Sequence, residues 1–165
     1  VSIIIPTRDG WNFLAPCLAS LERTDWPPEK LEIIVVDNGS TDPATLAGLD
    51  AARRAGQIRV IVHNEEFNFA RINNLAARDA SGSILVFLNN DTAPLRGWLR
   101  ALLRTFDELP GTGLVGAKLL FPDLTMQESG VSKRVSVRFE DVSETGEILN
   151  VRDEDAAAGD ETAAA

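Results

Sequence analysis

One cysteine, Cys17, stands in a chain of 165 residues. A single thiol excludes a disulfide framework within the chain and any metal site built from several cysteines. Long apolar runs are missing too. The stretches Val1–Pro6, Ile33–Val36 and Ile84–Leu88 are four to six residues each, against the roughly 20 that a bilayer-spanning helix needs. Nor does the start show a basic leader followed by an apolar core, so no secretory signal is read there. The chain opens on Val1, with no Met, inside a strand-like run, and reads as an excised piece of a longer protein. No repeat with a period of about 20–50 residues, as a solenoid or propeller would show, is visible.

What is present is an ordinary globular balance, with 44% hydrophobic and 25% charged residues, which points away from disorder and from a membrane protein. The length fits one domain. Charge divides the chain unevenly. Of the 25 acidic and 16 basic residues, nine acids and two bases lie from Arg138 onward, so that segment carries −7 and residues 1–137 only −2. A uniformly acidic protein would repel nucleic acid; here the body is nearly neutral, the pI says little about its ligand, and no nucleic-acid partner is expected. Residues 133–165, ending DEDAAAGDETAAA, are poor in large apolar side chains, cannot offset the entropy of ordering, and read as poorly ordered or truncated.

Along the body, strand-like and helix-like segments alternate. VSIII is a β-branched run ended by Pro6, the pattern of a buried strand. Phe13, Leu14, Cys17, Leu18 and Leu21 recur at helical spacing, with Pro16 marking an irregular turn before that helix settles. LEIIVV (31–36) is a second strand, and Pro43 sits where a helix over 44–55 could begin. IRVIV (58–62) is a third strand, 70–80 a helix, SILVFL (83–88) a fourth strand, 95–107 a helix, and LVGAKLLF (114–121) a further strand. Such alternation gives an α/β domain with a mostly parallel sheet buried on both faces. Ligands of these sheets bind beyond the carboxyl ends of the strands, which nominates PTRDG, DNGSTD and NND.

Each of these loops has a functional and a plainer reading. Thr7, Arg8 and Asp9 suit a base or ribose edge, or form a turn in which Asp9 or Asn12 caps the next helix. In the second loop Asp37 can accept hydrogen bonds from an imide or from ribose hydroxyls. Asn38-Gly39 favours a tight turn there, and Ser40, Thr41 or Asp42 can cap the helix near Pro43. Asn89, Asn90 and Asp91 bring hard oxygen ligands to the sheet edge, as Mg²⁺ or Mn²⁺ requires, or form a polar turn with Asp91 or Thr92 as a cap. In NEEFNFARINNLAARDA (64–80), Arg71, Asn73 and Asn74 stand at a helix start, where an Arg meets phosphate well or is simply solvated. The lone His63 is given no catalytic role.

Taken together, VSIIIPTRDG, VVDNGSTD and NFARINNLAARDASGSILVFLNND, in this order and spacing, resemble the family 2 glycosyltransferases of the GT-A fold. The likeness is greatest to the bacterial branch that builds rhamnose-containing and other surface polysaccharides. It runs from residue 1 to about 132, taking in VGAKLLFPD and MQESGV. The resemblance implies a GT-A Rossmann-like α/β/α sandwich over 1–132 and a nucleotide-diphospho-sugar donor, a UDP- or dTDP-sugar. It further implies a divalent cation, Mn²⁺ or Mg²⁺, and inverting transfer to a hydroxyl of a saccharide or lipid-linked acceptor. The family's setting implies a place in the cytoplasm or at the inner face of the membrane, with peripheral association of the full-length protein.

Residue by residue, the resemblance implies that Pro6, Thr7 and Asp9 line the nucleoside pocket and that Asp37 contacts base or ribose. Arg71 would lie near the base or the diphosphate. The family's DxD-like motif falls on NND, with Asp91 as metal ligand and Asn90 against ribose or donor sugar. Two departures stand out. Asn89 occupies a position where many members carry Asp, leaving one carboxylate for the cation. The family's acidic catalytic base has no convincing match, since the pair Glu154-Asp155 is followed by no aromatic.

Two rivals share the sheet style. A signalling receiver domain needs a phosphoacceptor Asp ending the third strand, where this chain has His63-Asn64, although Lys118 would serve as its late lysine. A sugar-phosphate nucleotidyltransferase needs a Gly-rich basic loop after the first strand, and PTRDGWN has one Gly and one Arg. A non-catalytic nucleotide-binding module stays open, because no base is visible.

Overall fold

The structure, a computed structural model, describes residues 1–117. Val1–Arg100 form one compact unit, and a second begins at Ala101; the segment 133–165 lies outside the described residues. In chain order the elements are β1 (Ser2–Thr7), α1 (Trp11–Leu21), a 3₁₀ turn (Pro28–Lys30), β2 (Glu32–Asp37) and α2 (Pro43–Arg54). They continue with β3 (Arg59–Val62), α3 (Phe69–Asp79), β4 (Leu85–Phe87) and α4 (Trp98–Glu108). The four strands form one sheet in the order β3-β2-β1-β4, and every pairing is parallel. This is the α/β class that the alternation indicated.

The unbroken apolar runs of β1 and β2 follow from helices on both faces. Ile3, Ile5 and Val35 point to one side and pack with Leu14, Cys17, Leu18 and Leu21 of α1 and Leu49 and Ala52 of α2. Ile4, Ile34 and Val36 point to the other and pack with Ile72 and Ala76 of α3. Burial pushes the Cys17 thiol up to about 11, so it stays protonated and unreactive. The α1–α2 contact depends on a missing side chain: a Cβ built on Gly48 would come within 2.2 Å of the Trp11 indole. Gly48→Ala is therefore expected to destabilise the chain by about 1–3 kcal/mol through overpacking, read as a lower midpoint in urea.

Four local expectations change. First, Pro6 does not end β1, which runs on to Thr7 against β2. Along β1 the even residues face β4, where Ser2 N–H donates to Ile84 and Leu88 N–H donates to Ile4. The next donor in that ladder would be Pro6, which has no N–H, and the β1–β4 pairing stops at Ile4–Phe87. Second, α1 starts at Trp11 and runs through Pro16 with no irregular turn before it. Pro16 is exposed, and burial of Leu14, Cys17, Leu18 and Leu21 outweighs the one backbone bond it forfeits. Third, Phe13 falls outside that stripe and is 54% exposed. Fourth, residues 114–117 form no strand, and the rest of the expected strand at 118–121 lies outside the described residues. Leu114 is exposed, so nothing described buries the run.

The strand order sets the site. From β1 the chain steps to β2 and β3 on one side, then returns to place β4 on the other. The order reverses at β1, and in parallel sheets the crevice at such a reversal, beyond the carboxyl ends, is where ligands bind.

Candidate functional site

Thr7 closes β1, is buried, and stands level with Asp37 at the end of β2. The ladder continues one step further, as Asn38 N–H donates to the Thr7 carbonyl at 2.9 Å. On its other flank the Thr7 hydroxyl accepts from Asn90 Nδ2 at 3.0 Å. Gly10 makes room for that amide, since a Cβ there would lie 3.0 Å from Asn90 Nδ2. Three of the residues singled out from the sequence, Thr7, Asp37 and Asn90, thus meet at the switch point, with Pro6 just behind Thr7.

The loop after β2 is held from two directions. Asp37 Oδ1 accepts from Ser40 N–H at 2.9 Å, a side-chain turn made possible by Gly39 at φ 73°. From β1's loop, Asp9 Oδ1 accepts both Thr41 N–H at 2.6 Å and Asp42 N–H at 2.7 Å, and Asp9 N–H donates to Ser40 Oγ at 2.9 Å. The Asp42 and Thr41 amides hold the Asp9 carboxyl below its ordinary pKa, outweighing the opposing effect of burial. Asp9 caps no helix; Gly10 occupies the cap of α1 without a side-chain bond. Asp42 is the cap of α2, accepting from the Thr45 N–H and hydroxyl at 2.7 Å each; these bonds, the hydroxyl's first, lower its pKa as well.

A cleft of about 270 Å³ opens over these loops, lined by Arg8, Asn38, Gly39, Ser40, Thr41, Asn64 and Glu65. Its walls come from the loops after β1, β2 and β3. The loop after β4, expected to share the crevice with the first two, reaches the same edge through the Asn90–Thr7 bond but does not line this cleft. Arg71, in the first turn of α3, is bound to Glu65 at 2.8 Å and does not itself line the cleft. Asn68 caps α3 by accepting from Arg71 N–H at 2.9 Å. Asp91 is exposed and makes no hydrogen bond or ion pair among the described residues. It sits in a turn closed by the Thr92 hydroxyl on the Asn89 carbonyl at 2.7 Å; neither Asp91 nor Thr92 caps α4, which begins only at Trp98.

Asn38 has the most unusual environment. It is 2% exposed, yet neither end of its carboxamide has a partner among the described residues. His63 Nε2 and Asn73 Oδ1 are likewise buried without one. His63 N–H donates to the Asp37 carbonyl at 2.8 Å, and its ring lies 3.9 Å from the Glu65 carboxylate. Side-chain alternation puts Asn38 on the same sheet face as Ile34 and Val36, the face that α3 covers. Native proteins leave few buried polar atoms unpaired, and those they leave mark places where water or a ligand completes the set. Asn64 and Glu65, which line the cleft, were not singled out from the sequence. The rule that nominated the other loops applies there equally.

The model of the family described as "Glycosyl transferase family 2" matches residues 2–151. The chain belongs to glycosyltransferase family 2. This family 2 chain is 39% identical over 133 residues to the O-antigen biosynthesis protein RfbC of Myxococcus xanthus, a match covering 79% of it and 10% of RfbC. Its fold is similar to the mannosyltransferase PcManGT of Pyrobaculum calidifontis, solved in complex with GDP-Man and Mn²⁺. That match has TM-score 0.60 and 28% identity and covers 68% of this chain and 33% of that one. Residues 1–349 of Staphylococcus aureus TarS, solved with UDP-GlcNAc, give TM-score 0.54 and 25% identity over 70% of this chain and 36% of that one. The family 2 chain therefore has a GT-A type fold and spans a small part of RfbC's length. Family membership removes the receiver-domain and nucleotidyltransferase alternatives.

Proposed function

We propose that this chain is the donor-binding part of an inverting glycosyltransferase, with residues 1–132 as its domain. It would move a sugar from a nucleotide diphosphate to an acceptor hydroxyl in polysaccharide or glycoconjugate synthesis. The observation that carries this reading is the meeting of Thr7, Asp37 and Asn90 at the switch point, beside a cleft floored by the unpartnered Asn38. The cleft is the size of a nucleoside rather than of a whole sugar nucleotide. Pro6, Thr7 and Asp37 stand beside it at the strand ends, next to where base and ribose would lie, and Asn38, which lines it, supplies a donor and an acceptor suited to the imide edge of uracil or thymine. The diphosphate runs toward β4, where Asn90 meets ribose or sugar, with Arg71 as a cation beyond Glu65. The donor is thus a UDP- or dTDP-sugar.

The residues around Asp91 fit a divalent cation of the Mg²⁺ or Mn²⁺ kind, since such ions use one or two carboxylates and take remaining oxygens from substrate phosphates and water. No group of three or more His, Cys, Asp or Glu gathers among the described residues. A cation held by Asp91 would neutralise charge growing on the departing diphosphate. In the transfer, the acceptor oxygen bonds to the anomeric carbon from the face opposite the diphosphate. The anomeric C–O bond breaks, its electron pair leaves with the nucleotide, and the acceptor proton passes to a base. Glu154 and Asp155 lie outside the described residues, and the base is assigned to neither. The acceptor is a saccharide or lipid-linked hydroxyl, met in the cytoplasm or at the membrane's inner face. No helix of the described residues is long and apolar enough to cross a membrane.

Thermal denaturation with UDP, dTDP or GDP, each with and without Mn²⁺, tests the reading. A pyrimidine nucleotide with Mn²⁺ at 100 times its Kd should add about 2.7 kcal/mol. No response to any nucleotide, with or without the ion, would reject the proposal.

A further inference from the structure

Asp9 looked from the sequence like a residue that lines the nucleoside pocket, yet its Oδ1 is committed elsewhere and its Oδ2 is approached by the Thr41 hydroxyl at 3.5 Å. Both short bonds to Oδ1 come from the backbone of the loop after β2, and Ser40 Oγ accepts from Asp9 N–H. Asp9 itself is held at φ 47°, the one described residue other than glycine with positive φ. That conformation is unfavourable for most side chains and tolerated by Asp and Asn. The chain thus accepts backbone strain at a position whose carboxylate ties two loops together across more than thirty residues of sequence. Ser40 and Thr41, which this tie holds, line the cleft, whereas Asp9 does not. Asp37 grips the same loop from the other side through Ser40 N–H.

We infer that Asp9 is a positioning residue: its carboxylate clasps the Thr41 and Asp42 backbone amides so that the cleft is preformed for a nucleotide, without touching the nucleotide itself. This rests on the donor reading of the cleft. With the clasp in place the loop is ordered before binding; without it, that ordering cost falls on the binding step and lowers affinity. The clasp needs an acceptor at Oδ1 and a residue tolerant of positive φ. Asparagine provides both, while glycine provides only the second.

The experiment compares the full chain with Asp9→Asn and Asp9→Gly in two measurements. Hydrogen exchange at the Thr41 and Asp42 amides, without ligand, reads the clasp directly. It should accelerate in Asp9→Gly and stay near the parent rate in Asp9→Asn. Calorimetric titration with UDP, 2′-deoxy-UDP and 3′-deoxy-UDP reads its consequence. Asp9→Gly should bind all three on the order of tenfold more weakly and by the same factor, while Asp9→Asn stays within about threefold of the parent. Unchanged exchange or unchanged affinity in Asp9→Gly would overturn the inference, as would an Asp9→Asn loss equal to that of glycine. A loss that vanished with one deoxy analogue would make Asp9 a ribose ligand instead. Should the parent chain bind no nucleotide, the donor reading fails, and the clasp is then decided by the exchange rates alone.

Discussion

Asp91→Ala is expected to remove the whole of the Mn²⁺-dependent part of UDP stabilisation while leaving the ligand-free chain as stable as before. The two halves of this expectation have separate causes. Asp91 is exposed and bonded to nothing described, so its loss from the surface should stay within about 0.5 kcal/mol. For the cation, however, it is the single carboxylate of the Asn89-Asn90-Asp91 loop. A neighbouring aspartate could have substituted, but Asn89 stands there, and Asn90 gives its amide to Thr7. Without a carboxylate the ion is left with neutral oxygens and phosphate, and the linkage energy that at 100 times Kd amounts to about 2.7 kcal/mol disappears. Melting temperatures in four conditions (no addition, Mn²⁺, UDP, both) separate the effects. A variant that still gains from Mn²⁺ as the parent does would show that the ligand lies elsewhere.

At the opposite edge of the sheet, Glu32→Ala is expected to cost about 3 kcal/mol at neutral pH, from lost charge-assisted bonds and a stranded buried hydroxyl. Glu32 Oε2 accepts from Ser2 Oγ at 2.6 Å and from the N–H and hydroxyl of Ser81 at 2.9 Å each. Oε1 faces Arg59 at 3.2 Å. Ser2 is fully buried and in turn accepts from Gly82 N–H, so one carboxylate gathers β1, β2, β3 and the approach to β4. Burial alone would raise its pKa, but the hydrogen bonds from Ser2 and Ser81, with the Arg59 charge, outweigh that and leave it below its ordinary value. A depressed carboxyl favours folding when ionised. Its contribution is complete above the unfolded-state pKa, near 4.3, and drains away as pH falls through the lower folded-state value. Urea midpoints of parent and variant at pH 7, 5, 4 and 3 should therefore converge toward acid. Asp9, Asp42 and Asp50 are lowered too, but they titrate in both proteins and cancel. A gap independent of pH would show that Glu32 contributes packing and not charge.

Much of this molecule is legible in its sequence, for a physical reason. Strands buried on both faces must be apolar throughout, so VSIII and LEIIVV declare themselves, and the loops that leave them must carry the polar chemistry. Thr7, Asp37 and Asn90 could be nominated on that ground, and the structure brings them together. Asp42 was among the foreseeable caps because a short acceptor just ahead of a proline at the first helical position is a strong local signal. What stayed hidden depends on partners distant in sequence. Nothing around Asp9 announces that its carboxylate will meet backbone more than thirty residues later, and a cap for the adjacent helix was the natural local reading. Asn38 looks like turn chemistry until the burial of its amide is known. Pro6 reads as a stop because it has no N–H to give a ladder, whereas the residues of β1 alternate between two neighbouring strands and only the β4 side loses its bond.

That alternation has a lasting effect on how the binding edge is maintained. Because the N–H missing at residue 6 falls on the side of β4, the backbone ladder between those two strands lacks its next bond there. Beyond Ile4–Phe87 the two strands are tied by a side chain instead, Asn90 Nδ2 on the Thr7 hydroxyl, so the closure of this edge depends on which residues stand at 7 and 90 rather than on the main chain.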